Sequence, residues 1–208
     1  MPAFSRSCAA AVDTFLHLGS SAPARGYYML EYQLGFNVDL EIFVNLQSKA
    51  VRNGMCNKHG KAITLDFKFE FGHHQGRTSS VWHGGTATIV QSPGDEVWGI
   101  VWKMNASNLR SLDKQEGVED GIYVPIEVNV HTQAGKVLTC RSYQMKDYVC
   151  GPPSPQYKKV ICMGAEQNGL PSDYQKKLEA IETNNYAGPV PIMEEIEAAI
   201  KAKKINSA

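Results

Sequence analysis

The sequence carries no surplus of charge: 21 Lys and Arg residues balance 21 Asp and Glu, a formal net charge of +0. Nucleic-acid and anionic-membrane partners ordinarily call for a basic excess, so neither is expected. Long apolar runs are missing too; the longest are strand-sized, well short of the roughly 20 residues of a transmembrane helix. Cysteine is sparse, and Cys8, Cys56, Cys140, Cys150 and Cys162 are an odd number, widely spaced, with no CxxC. That pattern points to free thiols in a reducing compartment, the cytosol, rather than to a disulfide framework. His73, His74 and His83 have no acidic or cysteine ligand at useful spacing, so no metal is expected. Repeats and low-complexity linkers are absent, and 208 residues suffice for one domain with its own core.

What is present is organised around Val97 to Tyr123. Val97, Trp98, Ile100, Val101 and Trp102 form a nearly continuous apolar run, the pattern of a buried strand. Met104-Asn105-Ala106-Ser107 interrupts it and offers Asn105 or Ser107 as a helix N-cap. The brief helix that follows should stop at Gly117, the residue type favoured just past a helix end. Leu109, Leu112 and Glu116 share one face of it. Burial and the partial negative charge of a helix C-terminus both disfavour a carboxylate there, as a general acid/base near neutrality requires. Spacing alone favours the plainer alternative, Glu116 at a solvated helix end.

On either side the pattern is mostly β. Leu65, Phe67, Phe69 and Phe71 alternate with polar residues, a half-buried strand with four large side chains inward. Gly84-Gly85 and Ser92-Pro93-Gly94-Asp95 bracket a strand over Thr86 to Gln91 and place a tight turn before the central run. Val124, Ile126, Val128 and Val130 define another strand, returned by Val137 to Met145 across a turn at Gln133 to Lys136. Ser154-Pro155 opens a helix with inner stripe Tyr157, Val160, Ile161 and Gly164, stopping at Gly169. Tyr174, Leu178 and Ile181 mark a second helix, and about Met193 to Lys203 a last one. Strands with appended helices, without alternating βαβ units, give an α+β fold with a small mixed β-barrel or sheet.

The string from WHGGTATIV through DKQEGVEDGIYVPIEV, then CRSY and PPSPQYKKVICMGAEQNGLPSDYQKKLEAIE, resembles the γ-glutamylcyclotransferase family. The likeness runs from about Leu65 to about Ile200, in the family's order and spacing. It implies a small barrel with surrounding helices, no cofactor, a homodimer, and conversion of a γ-glutamyl amino acid to 5-oxoproline. The family's catalytic acid/base is the glutamate of QEG, here Glu116. Its substrate-pocket tyrosines correspond to Tyr123 and, in PPSPQYKK, Tyr157. From the residues alone, Tyr123 could equally be a strand-end aromatic.

Residues 1–62 diverge from the family and read as a leader, partly disordered or contributing one strand, ahead of the family-like part at 63–208. Met1 to Gly26 carries Arg6 and Arg25 but only Asp13 as an acid, faintly like a transit peptide, or simply a floppy leader. Tyr27 to Leu46 is rich in β-formers. Family members carry a Tyr-Gly-Ser-Asn-Leu loop after their first strand, whose backbone N–H groups hold substrate and oxyanion. This sequence lacks it; the nearest echo is Leu34-Gly35-Phe36-Asn37-Val38, which makes Gly35 and Asn37 the substrate-binding candidates there. Two readings follow: a γ-glutamylcyclotransferase, or a non-catalytic binding protein on that scaffold. A related cyclotransferase acting on glutathione is a third.

Overall fold

The computed structural model describes residues 26–31, 56–105, 109–194 and 196–197. Its strands are β1 (Gly26–Glu31), β2 (Cys56–His74), β3 (Thr86–Asn105), β4 (Tyr123–Thr132), β5 (Val137–Met145) and β6 (Tyr148–Cys150). The helices are α1 (Leu109–Gln115), α2 (Pro155–Gln167) and α3 (Ser172–Glu179). Hydrogen-bonded neighbours run β3-β1-β5-β4-β2, and β2 pairs again with β3, so five strands close on themselves; β6 extends the sheet from β2. All pairings are antiparallel except the narrow seam of β1 with β5 at Met29↔Arg141. This is the expected α+β architecture with a mixed barrel.

β3 is deeply buried on both faces, with Ile89, Val97, Ile100 and Val101 fully covered. Val128 and Val130 of β4 and Phe71 of β2 join them. β2 and β3 are far longer than the strands expected from the sequence. Ser92 to Asp95 makes no turn between separate strands but a bulge inside β3: Leu65 pairs with Glu96 and Phe67 with Gln91. Asp66 stands opposite the excursion with φ 61, and its Oδ1 accepts the Gly94 N–H at 2.9 Å. A bulge re-aims the side chains beyond it. Leu65 is accordingly 48% exposed, not inward, and of the four large residues only Phe71 is buried.

β1 lies on β3 from Gly26↔Asn105 to Glu31↔Ile100, within the stretch read as a leader. Gly35, Asn37 and the rest of that loop candidate lie outside the described residues. So does Ser107, and so does the end of the last helix, which is helical at 191–194 and 196–197. Ile181 falls beyond α3 rather than on it. The stops of α1 and α2 come where glycine was expected, at Gly117 and Gly169. After α2, the Gly169 N–H donates to Glu166 and the Leu170 N–H to Ala165, with Gly169 at φ 60. This is the Schellman closure of a helix end.

Candidate active site

Ser154 caps α2: its buried hydroxyl accepts the Tyr157 N–H at 3.2 Å, with Pro155 in the first turn. The cap turns Tyr157 inward, only 4% exposed, between Phe71 edge-on at 5.8 Å and Trp82 at 4.7 Å. The segment before the cap lies flush on the start of β3. A Cβ at Gly84 would stand 2.3 Å from the Ser154 nitrogen, and one at Gly85 2.2 Å from the Gly151 oxygen. No other residue type fits there without moving backbone. The glycine pair thus fixes how deeply Tyr157 reaches.

Two tyrosines meet on the backbone of one residue. The Ala87 N–H donates to the Tyr157 hydroxyl at 3.3 Å, and the Tyr123 hydroxyl donates to the Ala87 carbonyl at 2.8 Å. Thr86 Oγ1 lies 3.3 Å from the Tyr123 hydroxyl. Tyr123 is 7% exposed at the mouth of β4. Because the Tyr157 oxygen accepts from backbone, its own proton remains free to be donated elsewhere. Burial pushes that phenol well above its ordinary value; the Ala87 N–H works against the shift, and the Glu116 carboxylate adds to it. The hydroxyl is a proton-bearing donor at any physiological pH.

Glu116 is half-buried and is the residue that caps α1. Its N–H still donates to Leu112, while the Gly117 N–H donates to Lys114 and the Val118 N–H to Asp113. Gly117 takes φ 66. This second Schellman closure makes the QEG glycine a geometric requirement: it ends the helix so that Glu116 keeps helical hydrogen bonding while the chain reverses towards Tyr123. Leu112 is buried beneath. The charge of Glu116 is felt at the Tyr157 phenol, and Tyr157 and Tyr123 both hydrogen-bond the Ala87 backbone.

Ala87 was invisible in the sequence because its part is played by backbone. Asp113, Arg141 and Tyr143 were also passed over, although Arg141 and Tyr143 sit at strand spacing within CRSY. Arg141 Nη2 donates to both Asp113 oxygens, at 2.7 and 2.9 Å, and the Tyr143 hydroxyl donates to Asp113 Oδ1 at 2.6 Å. The histidines are spread among other tasks. His74 Nδ1 is 2.6 Å from the Lys146 carbonyl, and His83 stacks on Tyr186 at 4.5 Å. Among the described residues no group of three or more His, Cys, Asp or Glu is placed to hold a metal ion.

Known proteins match much of this chain. Residues 96–178, from the second half of β3 to α3, match the AIG2-like family. The γ-glutamylcyclotransferase of Bos taurus is 65% identical over 151 residues, 73% of this chain and 79% of that protein. The chain belongs to the γ-glutamylcyclotransferase family. The Homo sapiens member is 68% identical over 136 residues, 65% of this chain and 71% of its own. A solved γ-glutamyl cyclotransferase structure overlays with a TM-score of 0.73 at 55% identity, covering 86% of this chain and 99% of that one. Glu116, Tyr123 and Tyr157 all fall inside the region matching the AIG2-like family. Among the described residues no helix is long and apolar enough to cross a membrane.

Proposed function

We propose that this chain is a γ-glutamylcyclotransferase, releasing 5-oxoproline and a free amino acid from a γ-glutamyl amino acid, with Glu116 as general acid/base. The family membership supports the reaction. The observation carrying the site is the meeting of the Tyr123 and Tyr157 hydroxyls on the backbone N–H and C=O of Ala87, with the Glu116 charge felt at the Tyr157 phenol. In the reaction the substrate's own neutral α-amine attacks its γ-carbonyl carbon. The new C–N bond closes a five-membered ring, and the old C–N bond to the departing amino acid breaks. The nucleophile belongs to the substrate, so the chain must hold the glutamyl arm folded and move one proton. A well-oriented intramolecular attack gains several kcal/mol of the barrier, about 7–11 at best.

Glu116, starting ionised, takes the proton that the attacking nitrogen sheds and returns it to the nitrogen that leaves. Tyr157, kept protonated by burial, supplies a hydrogen bond to substrate oxygen, while Tyr123 holds the Ala87 peptide in place. Gly35 and Asn37 are our candidates for the loop that steadies substrate and oxyanion. Cys140, Cys150 and Cys162 are free thiols, which supports a reducing, cytosolic setting; the homodimer is carried over from the resemblance. The deciding assay is 5-oxoproline release from γ-glutamyl-alanine by the full chain and by Glu116→Gln. Release that Glu116→Gln lowers at least about a hundredfold supports the reading. No release by the full chain, or undiminished release by the variant, refutes it.

A further inference from the structure

α1 has seven residues, too few to hold a helical conformation by its own hydrogen bonds. What fixes it is its contact with the barrel. Leu112 supplies apolar burial, which resists separation but leaves rotation and sliding weakly determined. The directional contacts are made one residue later. Asp113 receives Arg141 Nη2 on both oxygens, at 2.7 and 2.9 Å, and the Tyr143 hydroxyl at 2.6 Å. Arg141 Nε donates in turn to the Tyr143 oxygen at 3.2 Å, and the guanidinium carbon lies 5.5 Å from the Tyr143 ring centre. The triangle is closed, and both Arg141 and Tyr143 stand on β5, a wall of the barrel.

The same residue also reaches the turn that carries Glu116. The Asp113 carbonyl accepts the Val118 N–H at 2.9 Å, the bond that closes the chain reversal around Glu116 and Gly117. Asp113 is therefore tied by its side chain to the barrel wall and by its backbone to the helix end. We propose that Asp113, gripped by Arg141 and Tyr143, is a positioning residue that sets where the Glu116 carboxylate stands relative to the Ala87–Tyr157 contact. The inference rests on the reading of Glu116 as the acid/base. The Arg141 and Asp113 side chains are about one-quarter exposed, so the ion pair itself is partly screened. Its value lies in direction: a proton-transfer group displaced by about 1 Å forfeits up to about a hundredfold in rate.

The test is a double-mutant cycle on turnover of γ-glutamyl-alanine by the full chain. Asp113→Asn keeps shape and loses charge; Tyr143→Phe removes only the hydroxyl and serves as the conservative variant should Asp113→Asn fail to fold. With each protein's folded fraction fixed from its melting curve at the assay temperature, Asp113→Asn should lower kcat about tenfold or more and Tyr143→Phe about threefold, with KM within twofold. In the Glu116→Gln background neither change should lower the residual rate further, because both act through the same carboxyl group. A merely structural role would lower the rate by the same factor in both backgrounds, and that result overturns the proposal. So does an unchanged kcat in both variants while Glu116→Gln is inactive. A fully active Glu116→Gln instead removes the reading of Glu116 itself.

Discussion

Replacing Gly117 with alanine separates two costs that a single glycine normally hides. Gly117 has φ 66, where a Cβ adds steric strain of roughly 1–2 kcal/mol. A Cβ there would also stand 3.0 Å from Ile122 Cδ1 and 3.3 Å from its Cβ, so Ile122 must yield by a few tenths of an ångström. Crowding of that kind adds about 1 kcal/mol, at the low end for overpacking, because the nearest atom ends a flexible side chain. Gly117→Ala should therefore lose about 2–3 kcal/mol. Four residues on, Gly121 has φ 68 with nothing within 4 Å of an added Cβ. Gly121→Ala isolates the backbone cost and should lose only about 1–2 kcal/mol. Urea denaturation gives both stabilities, and the difference is the Ile122 contact. The Ile122 N–H donates to the Gly117 carbonyl at 3.0 Å, so a shift of Ile122 drags the turn bearing Glu116. Turnover should fall at least about tenfold in Gly117→Ala and stay within twofold in Gly121→Ala. Equal losses in the two variants, in stability and in rate, would refute the claim that Gly117 shapes the site.

Three other outcomes are expected. Glu116→Gln should lower kcat at least about a hundredfold while KM moves no more than about threefold, since proton transfer goes and shape stays; equal changes in both would argue for a binding role. Tyr157→Phe leaves the buried Ala87 N–H without the Tyr157 acceptor and should cost about 1–3 kcal/mol in a urea melt, whereas a loss below about 0.5 would show that other groups replace it. Burial raises the Tyr143, Tyr157 and Tyr174 phenols above their ordinary value and pushes the Cys140 thiol up to about 12. Folded values raised above unfolded ones leave this stabilisation whole below the unfolded values and remove it as pH climbs through the folded ones. The urea midpoint should thus show no loss from these groups up to about pH 8 and fall beyond about pH 9–10; a midpoint that rises there would refute the burial assignment.

Local chemistry in the sequence located much of this fold. Ser154-Pro155 began a helix and Gly117 and Gly169 ended two, because caps depend on a few neighbouring residues and on φ above zero. The β4–β5 hairpin was equally plain from alternation. The bulge at Ser92 to Asp95 was not, since a Pro-Gly pair looks the same whether the chain reverses or merely swells within a strand. What decides is the partner: the same strand, β2, pairs on both sides, with the register shifted between Leu65↔Glu96 and Phe67↔Gln91, and Asp66 closes the bulge with a hydrogen bond. The candidate site divides the same way. Glu116, Tyr123 and Tyr157 came from motifs, but the Ala87 backbone that joins two of them has no side-chain signature. The Asp113–Arg141–Tyr143 triangle spans 30 residues of sequence and two elements, so no local window contains it.

The first strand carries the last prediction. β1 runs antiparallel to β3, and its C-terminal end, Glu31, pairs with Ile100, so β1 is directed along β3 towards the end that carries Ala87. A loop that follows the family's first strand and steadies the oxyanion belongs at that end. In this sequence Gly35 and Asn37 stand four and six residues after Glu31, in the nearest echo of Tyr-Gly-Ser-Asn-Leu. Losing an oxyanion donor costs about 3–4 kcal/mol of barrier, or two to three orders of magnitude in kcat. If that echo supplies one donor where the family's loop supplies two, this chain should turn over about a hundredfold or more below a variant whose residues 34–38 are replaced by Tyr-Gly-Ser-Asn-Leu. Both proteins should retain similar urea midpoints, because the exchange leaves the β1–β3 ladder untouched. Asn37→Ala in the parent chain is the complementary perturbation. A further drop in kcat there places Asn37 in the loop's role, whereas a rate equal to that of the replaced variant in the untouched parent would show that another segment already performs it.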